Sequence, residues 1–300
     1  MTKNSIPFSQ FLNELDKIGN LEIAAQTIVD GFMLGIHQSP YHGFSAEFSQ
    51  YRPYNTGDDI KHLDWKVLAR SEKYYIKEYM EETNLRANIF LDVSNSMTYR
   101  ERGEISKLEY GKYLAASLAF LLQRQNDAVG FASGGDKLSV WLRPSTKNTH
   151  LRELLNVLNN LKPDVSADLP LLLKDFSGYL PRAGMCIIIS DFLCDVDDLF
   201  DQLKGIKHIG QDIILLQILD PMETDFGFNE EAQFIDMESK AQLKVSPKMI
   251  RKTYLRHFDG FLQKVHNNSL ELGISHHVFK TDEDFTHPLT VFLMKRNKKI

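Results

Sequence analysis

Short apolar runs alternate with amphipathic stretches through the middle of the chain. The runs Ala87–Leu91, Met185–Ser190 and Asp212–Leu219 have the length and composition of buried strands. Between them, Ile105–Arg124 and Val196–Ile209 repeat apolar residues with the period of a helix. Strands that alternate with helices indicate a mainly parallel sheet covered on both faces, which is a doubly wound α/β fold.

The other predicted elements follow from the same signals. Asp127–Ala132 and Lys137–Arg143 flank a Ser-Gly-Gly-Asp turn sequence, which predicts a hairpin. Helices are predicted at Thr149–Leu161 and Leu171–Leu180. The last part of the chain predicts an edge strand, a long helix, a last strand and a last helix, at Gln233–Asp236, Pro247–Leu272, Ile274–Phe279 and Asp284–Lys295. We therefore expect the sheet domain to span residues 85–300.

The first 84 residues have a different pattern. Phe8–Gly35 predicts a helix, and turn-rich sequence follows it. Tyr74–Glu82 alternates aromatic or apolar residues with charged ones, as a half-exposed antiparallel strand does. Residues 1–84 are thus expected to be an amino-terminal helical and β extension of the sheet domain.

Composition narrows the class of protein. An apolar content of 43% over 300 residues is enough for a large core, and no run approaches the length of a membrane span. The amino terminus lacks a signal-peptide core, and a net charge of −5 argues against nonspecific nucleic-acid binding. Cys186 and Cys194 are the only cysteines, and buried thiols fit them better than a disulfide. We expect a cytoplasmic protein with no nucleic-acid partner.

Two of the predicted strands end in an aspartate. Asp92 follows the first strand, with Ser94 and Ser96 at alternate positions after it, and Asp191 follows Met185–Ser190. Ligands of open α/β sheets bind at the carboxyl ends of the strands, where both carboxylates can face one crevice. Oxygen ligands suit hard cations, so the sequence predicts a site for Mg²⁺, or for another divalent cation such as Ca²⁺ or Mn²⁺. Capping of the next helix by these residues is the alternative.

This arrangement, an Asp-x-Ser-x-Ser sequence followed later by a strand that ends in Ser-Asp, resembles the metal-ion-dependent adhesion site of von Willebrand factor A domains. The resemblance implies that the first Asp, both Ser, a Thr from a middle loop and the second Asp hold one cation. It also implies that an acidic side chain of a partner protein completes the shell. The middle loop here, Pro163–Pro170, has no Thr. Ser166 supplies the nearest hydroxyl in this loop. If Ala167 occupies the aligned position instead, a water molecule would have to supply the ligand.

A second signature, Tyr51–Arg70, concentrates arginine, aspartate and tryptophan. It is similar to a segment of the bacterial family named domain of unknown function 58, and the resemblance runs from about Gly43 to Asp191. The resemblance implies a von Willebrand factor A-like domain, with a MoxR-type AAA+ ATPase as functional partner in assembly or chaperone-like work. The residues themselves predict a structural salt-bridge cluster around a capped helix. The signature residues are Arg52, Gly57, Asp58, Asp59, Asp64, Trp65 and Arg70.

Motifs of the common hydrolases are missing. The chain has no G-x-S-x-G, no phosphate-binding G-x-x-x-x-G-K-[ST] and no H-E-x-x-H, and Ser94 stands where a haloacid-dehalogenase-type phosphatase needs a second Asp. A cation held by few charges has an open position that favours an acidic ligand. We therefore expect metal-dependent protein recognition without catalysis. Mg²⁺-dependent hydrolysis of phosphate esters at the same site is the alternative.

Overall fold

The computed structural model describes residues 20–38, 51–53, 74–77, 85–103, 105–135, 137–164, 168–228, 232–235, 242–285, 288–290 and 292. In chain order, its elements are α1 (Leu21–Gln38), β1 (Tyr51–Pro53), β2 (Tyr75–Lys77), β3 (Arg86–Leu91), α2 (Lys107–Arg124), β4 (Ala128–Gly134), β5 (Leu138–Ser145), α3 (Asn148–Asn160), α4 (Leu169–Ser177), β6 (Gly184–Ser190), α5 (Val196–His208), β7 (Gln211–Leu219), α6 (Pro221–Asp225), β8 (Ala232–Ile235), β9 (Gln242–Val245), α7 (Pro247–Glu271) and β10 (Ser275–Lys280).

The chain divides into two units, of which the smaller is Met33–Asn84 and the larger joins Met1–Phe32 to Leu85–Ile300. In the smaller unit, β1 pairs antiparallel with β2, and Arg52 lies opposite Ile76. This pairing agrees with the antiparallel strand predicted from the alternation in Tyr74–Glu82. The other signature residues lie outside the described residues, namely Gly57, Asp58, Asp59, Asp64, Trp65 and Arg70.

A six-stranded sheet in the order β10-β7-β6-β3-β4-β5 organises the larger unit. Neighbouring strands are parallel except for β5, which runs antiparallel to β4 in the predicted hairpin. Parallel neighbours need long crossover connections, and α2, α5 and α7 lie within those connections. The predicted α/β fold with a mainly parallel sheet is confirmed.

Both faces of the sheet are covered, as the alternation of side chains along β3 illustrates. Phe90 points to one face, where its ring lies 5.4 Å from the ring of Phe176 in α4. Leu91 points to the other face, toward α2. There Gly111 lets the helix approach closely, because a Cβ at this position would stand only 2.8 Å from Leu91 Cδ1. Because apolar packing occupies both faces of the sheet, the polar side chains that can form a site lie at the strand ends.

Some of the predicted elements differ in pairing or extent. The strand predicted at Gln233–Asp236 forms as β8, but it pairs with β9 in a separate two-stranded sheet and is not an edge strand of the main sheet. The amino-terminal helix is described from Leu21 onward. In the last predicted helix, residues 284 and 285 are not helical, whereas residues 288–290 and 292 are. None of the described helices combines the length and the apolar character that crossing a bilayer requires.

Candidate metal site at the carboxyl edge of the sheet

Three adjacent strands end in a buried aspartate. Asp92 follows β3, Asp191 follows β6 and Asp220 follows β7, with exposed fractions of 2%, 1% and 0%. The main-chain N–H of Asp92 donates to the carbonyl of Ile189 at 2.9 Å, which continues the β3–β6 pairing beyond the strand end. The sheet therefore brings Asp92 and Asp191 to one crevice, as their positions at strand ends predict.

Hydrogen bonds orient the Asp92 carboxylate. Its Oδ1 accepts the main-chain N–H of Ser94 at 2.8 Å, and its Oδ2 accepts the hydroxyl of Ser190 at 2.6 Å. Burial and the nearby charge of Asp191 raise the pKa of Asp92 to about 6, although these two hydrogen bonds act in the opposite direction. Burial is the larger cause, so the pocket disfavours the charged carboxylate, and a bound cation would favour it.

The two serines of the motif bring their hydroxyls together. Ser94 is buried and Ser96 half-buried, and their Oγ atoms lie 3.0 Å apart. A 3-10 turn at Asn95–Thr98 holds them, and the buried side chain of Met97 anchors that turn. Adjacent ligands of an octahedral Mg²⁺, each about 2.1 Å from the metal, are separated by about 3.0 Å. The spacing of the hydroxyls therefore fits a Mg²⁺ site.

The capping alternative is wrong for α2. The helix is capped by Ser106, whose side chain accepts the N–H of Glu109 while the Glu109 carboxylate accepts the N–H of Ser106. Ser94 makes no side-chain capping bond to the turn that follows it. The hydroxyls of the motif are thus not consumed by helix capping.

A lysine that the sequence analysis missed lies in the site. Lys107, at the first position of α2, is 0% exposed, and its Nζ donates to Asp191 Oδ2 at 2.7 Å and to Glu223 Oε1 at 2.7 Å. Burial alone would lower the pKa of Lys107, but the charges of Asp191 and Glu223 outweigh it and raise that pKa. The sequence contains only a weak signal for this, a lysine in the first turn of a helix, where positive charge opposes the helix dipole.

Asp220 and Glu223 brace the loop between the serines and α2. Glu223 joins Lys107 to the start of α6, where its other oxygen accepts the N–H of Asp220 at 2.7 Å. Asp220 accepts the main-chain N–H groups of Glu101 and Gly103 at 3.2 and 3.3 Å. Asp220 therefore holds this loop. Of the three strand-end aspartates, Asp92 and Asp191 are the candidates for the cation site.

The Asp191 segment is held in an unusual backbone conformation. Phe192 has a φ of 56°, in the left-handed region that residues with side chains rarely adopt. Ser190 Oγ accepts the N–H of Phe192 at 2.8 Å, and the amide of Gln217 donates to the Asp191 carbonyl at 2.7 Å. Backbone strain of this kind is concentrated at functional sites, so this turn supports a functional role for Asp191.

A histidine supports this network from the neighbouring strand. The ring Nε2 of His276 lies 2.9 Å from Oε1 of Gln217, which only accepts, so the ring donates. Burial and the neighbouring His266 and His277 lower the pKa of His276 to about 4. The folded state therefore binds this proton less readily than the unfolded state.

Acid should weaken the fold through His276. The stability due to the neutral ring is complete above an unfolded pKa of about 6.5 and is lost as the pH falls toward 4. We expect a loss of about 1–2 kcal/mol in the free energy of unfolding between pH 7 and pH 5, measured by urea denaturation. His276→Gln should remove much of this loss, and His208→Gln, at an exposed position, should not. Equal acid sensitivity of both variants and the wild type would contradict the assignment.

The middle loop begins beside the serines. The N–H of Asp164 donates to the carbonyl of Val93 at 2.8 Å, and Asp164 forms an isolated bridge with Ser94. Ser166 and Ala167, the two alternatives for the fifth ligand, lie outside the described residues. The choice between a hydroxyl and water at that place stays a prediction.

Exposed apolar side chains accompany the polar site. Leu193, two residues after Asp191, is 41% exposed, and its N–H donates to Asp191 Oδ1 at 3.1 Å. Leu171, near the start of α4 and next to the middle loop, is 55% exposed. Leu193 thus places one exposed apolar residue next to the Asp191 carboxylate.

The donor set suits a hard cation held mainly by neutral oxygens. Within the described part of the chain, no three His, Cys, Asp or Glu side chains converge as a metal cluster. Any cation here would therefore depend on Ser94, Ser96 and Asp92, with Asp191 close by and water in the remaining places. Such a shell matches the preferences of Mg²⁺.

Proteins with similar sequences come from mycobacteria. An uncharacterized protein of Mycobacterium bovis is 22% identical over 285 residues, covering 93% of this chain and 88% of the relative. Two uncharacterized proteins of Mycobacterium tuberculosis match to the same extent.

Several solved structures resemble the fold. The BatB protein of Bacteroides thetaiotaomicron covers 71% of this chain and 99% of its own, with 16% identity and a TM-score of 0.46. An aerotolerance-related membrane protein of Bacteroides fragilis gives 14% identity and a TM-score of 0.45, covering 70% of this chain and 99% of its own. The von Willebrand factor A domain of SpRpn10 gives 11% identity and a TM-score of 0.38, covering 69% of this chain and 94% of its own.

One family model spans most of the chain. The model described as "Protein of unknown function DUF58" matches residues 50–259, which include the arginine- and aspartate-rich signature, the Asp-x-Ser-x-Ser motif and the strand-end aspartates Asp92 and Asp191. The family resemblance seen in the sequence is thereby confirmed, and the chain belongs to the DUF58 family.

Proposed function

We propose that this chain is a metal-dependent protein-recognition module. In this proposal Asp92, Ser94, Ser96 and Asp191 hold one Mg²⁺, and Ser166 or water fills the place of the middle-loop ligand. Asp191 shares its carboxylate with Lys107. The observation that carries the proposal is the pair of hydroxyls 3.0 Å apart next to two strand-end carboxylates. The metal would supply an electrophilic position that an acidic side chain of a partner completes.

Lys107 supports the acidic-ligand mechanism. Its ammonium neutralises part of the charge of Asp191, so the site as a whole is less negative than two free carboxylates would make it. A cation in such a site stays electron-poor, and Coulomb attraction to a partner carboxylate is strong where water is excluded. Lys107 itself is fully buried and engaged by two carboxylates, so it is not presented to a substrate phosphate. This arrangement favours recognition over hydrolysis.

The surroundings of the site support a protein as the partner. Leu171 and Leu193 offer apolar contact area of the kind that surrounds an anchor at protein interfaces. The family resemblance names a class of partner, a MoxR-type AAA+ ATPase. Both cysteines are free thiols, which agrees with a reducing compartment such as the cytoplasm.

Complex formation with the MoxR-type ATPase of the same organism tests the proposal. Binding is measured by calorimetry for the wild type in millimolar Mg²⁺ and in chelator. We expect chelator, and the double variant Ser94→Ala/Ser96→Ala, each to weaken binding by at least about tenfold, because each removes the metal-mediated bond. The control Ser177→Ala/Ser275→Ala removes two hydroxyls away from the site, at the end of α4 and at the start of β10, and should bind as the wild type does.

Two results would contradict the proposal. Binding that survives both chelator and loss of the serine hydroxyls would mean that recognition does not use the metal. Mg²⁺-dependent hydrolysis of a phosphate ester that disappears in Asp92→Ala would show instead that the site is catalytic. If the wild type does not bind the ATPase in Mg²⁺, the partner assignment is wrong.

A further inference from the structure

A second cavity lies at the opposite edge of the sheet from the cation site. It has a volume of about 440 Å³, and Arg86, Arg143, Trp141, Tyr179, Pro144 and Pro181 line it. Arg86 begins β3 and Asp92 follows the same strand, so the two ends are about 20 Å apart at about 3.3 Å per residue. This volume lies within the range of ligand-binding pockets. The cavity is thus separate from the site described above.

The charge of this pocket is not balanced within the described part of the chain. Arg86 and Arg143 are both exposed, and no described acidic side chain forms an ion pair with either. The protein as a whole carries a net charge of −5, and these two arginines, which form no ion pair among the described residues, bring positive charge to the pocket. Guanidinium groups bind carboxylates through paired N–H donors, which gives both affinity and orientation.

The pocket also has a fixed aromatic wall. The Trp141 ring lies 5.8 Å from the ring of Tyr179 and 5.8 Å from that of Phe176, which is fully buried. Packing on Phe176 holds Trp141 in place, while Tyr179 remains 55% exposed. Rigid, partly exposed aromatic rings of this kind are frequent anchors at protein interfaces.

The shape of the cavity favours a peptide over a nucleotide as the occupant. The cavity is open to solvent on one side, whereas small-molecule sites enclose most of the ligand.

We propose that this pocket binds an acidic segment of a partner protein. Carboxylates of the segment pair with Arg86 and Arg143, and an adjacent aromatic or apolar side chain of the segment packs on Trp141 and Tyr179. The proposal does not depend on the metal site, because the two sites occupy opposite edges of the sheet and use different residues.

Titration of fluorescent peptides into the full-length protein, followed by anisotropy, tests this proposal. The probe is a short peptide with a phenylalanine flanked by glutamates, and the comparison peptide carries lysines in place of the glutamates. We expect only the acidic peptide to bind, with affinity that falls as salt rises. The double variant Arg86→Gln/Arg143→Gln should bind the acidic peptide at least about tenfold more weakly. Arg152 is an exposed arginine of α3 outside the pocket, so Arg152→Gln should leave the affinity unchanged.

The buffer separates the two sites. All titrations contain chelator, so the glutamates of the probe cannot bind through a cation at Asp92. Equal binding of both peptides, equal binding by the double arginine variant and the wild type, or no binding at all would overturn the proposal. Displacement of the peptide by ADP at comparable affinity would also overturn it, because the pocket would then be a nucleotide site.

Discussion

Replacing Lys107 by methionine is expected to lower the free energy of unfolding by about 3–5 kcal/mol, because it leaves the buried carboxylates of Asp191 and Glu223 without their common cation. Methionine fills similar volume, so lost packing contributes little. Urea denaturation with far-ultraviolet circular dichroism measures the effect. The variant should also respond more strongly to Mg²⁺ than the wild type, since a divalent cation can replace the missing charge.

Two companion variants show whether buried charge is the cause. Lys204→Met breaks an exposed pair with Asp201 of nearly the same length, 2.8 Å, and should leave stability almost unchanged. The double variant Lys107→Met/Glu223→Gln removes one of the two orphaned charges and should recover part of the loss. A Lys107→Met protein as stable as the wild type would mean that the two carboxylates do not depend on this ammonium.

Asp92→Ala is expected to abolish the thermal stabilisation that Mg²⁺ gives to the wild-type protein. A ligand present at a hundred times its dissociation constant stabilises the folded state by about 2.7 kcal/mol. For a domain of this size, that energy raises the melting temperature by several degrees, which differential scanning fluorimetry detects. The variant loses the carboxylate that the bonds from Ser94 and Ser190 orient, so its melting temperature should not respond to Mg²⁺.

Asp220→Asn is the matched control for this prediction. Asp220 is a buried strand-end aspartate like Asp92, but it holds the loop at Glu101 and Gly103. Its variant should melt at a lower temperature than the wild type and still be stabilised by Mg²⁺. If the Asp92→Ala protein folds poorly, Asp92→Asn removes the charge while keeping the size of the side chain. A Mg²⁺ shift of wild-type size in either Asp92 variant would rule out a metal bound through Asp92.

The position of Lys107 changes the interpretation of the motif. Two aspartates and two serines, considered alone, suggest a site with two free negative charges. The structure places an ammonium 2.7 Å from one of them and links that ammonium to α6 through Glu223. The charge available to a cation is therefore set jointly by the motif and by an element more than a hundred residues further along the chain.

Much of the fold followed from local sequence patterns. The buried strands before Asp92 and Asp191 were predicted because parallel strands covered on both faces need continuous apolar runs. The hairpin of β4 and β5 was predicted because its turn sequence restricts the backbone locally. The predicted meeting of the two strand-end aspartates also followed, because the carboxyl ends of parallel strands share one edge.

The partners of the site residues were decided by tertiary structure. Lys107 meets Asp191 across 84 residues of chain, and Gln217 joins the Asp191 loop to His276 across 59. These contacts depend on strand order and register, which place β6 between β3 and β7. By itself, the sequence determined the main elements, the positions of Asp92 and Asp191 at two strand ends and the family signature, because these depend on neighbouring residues. Only the tertiary structure decided which distant charged groups meet them, because burial forces a charge to find its partner wherever the fold places one.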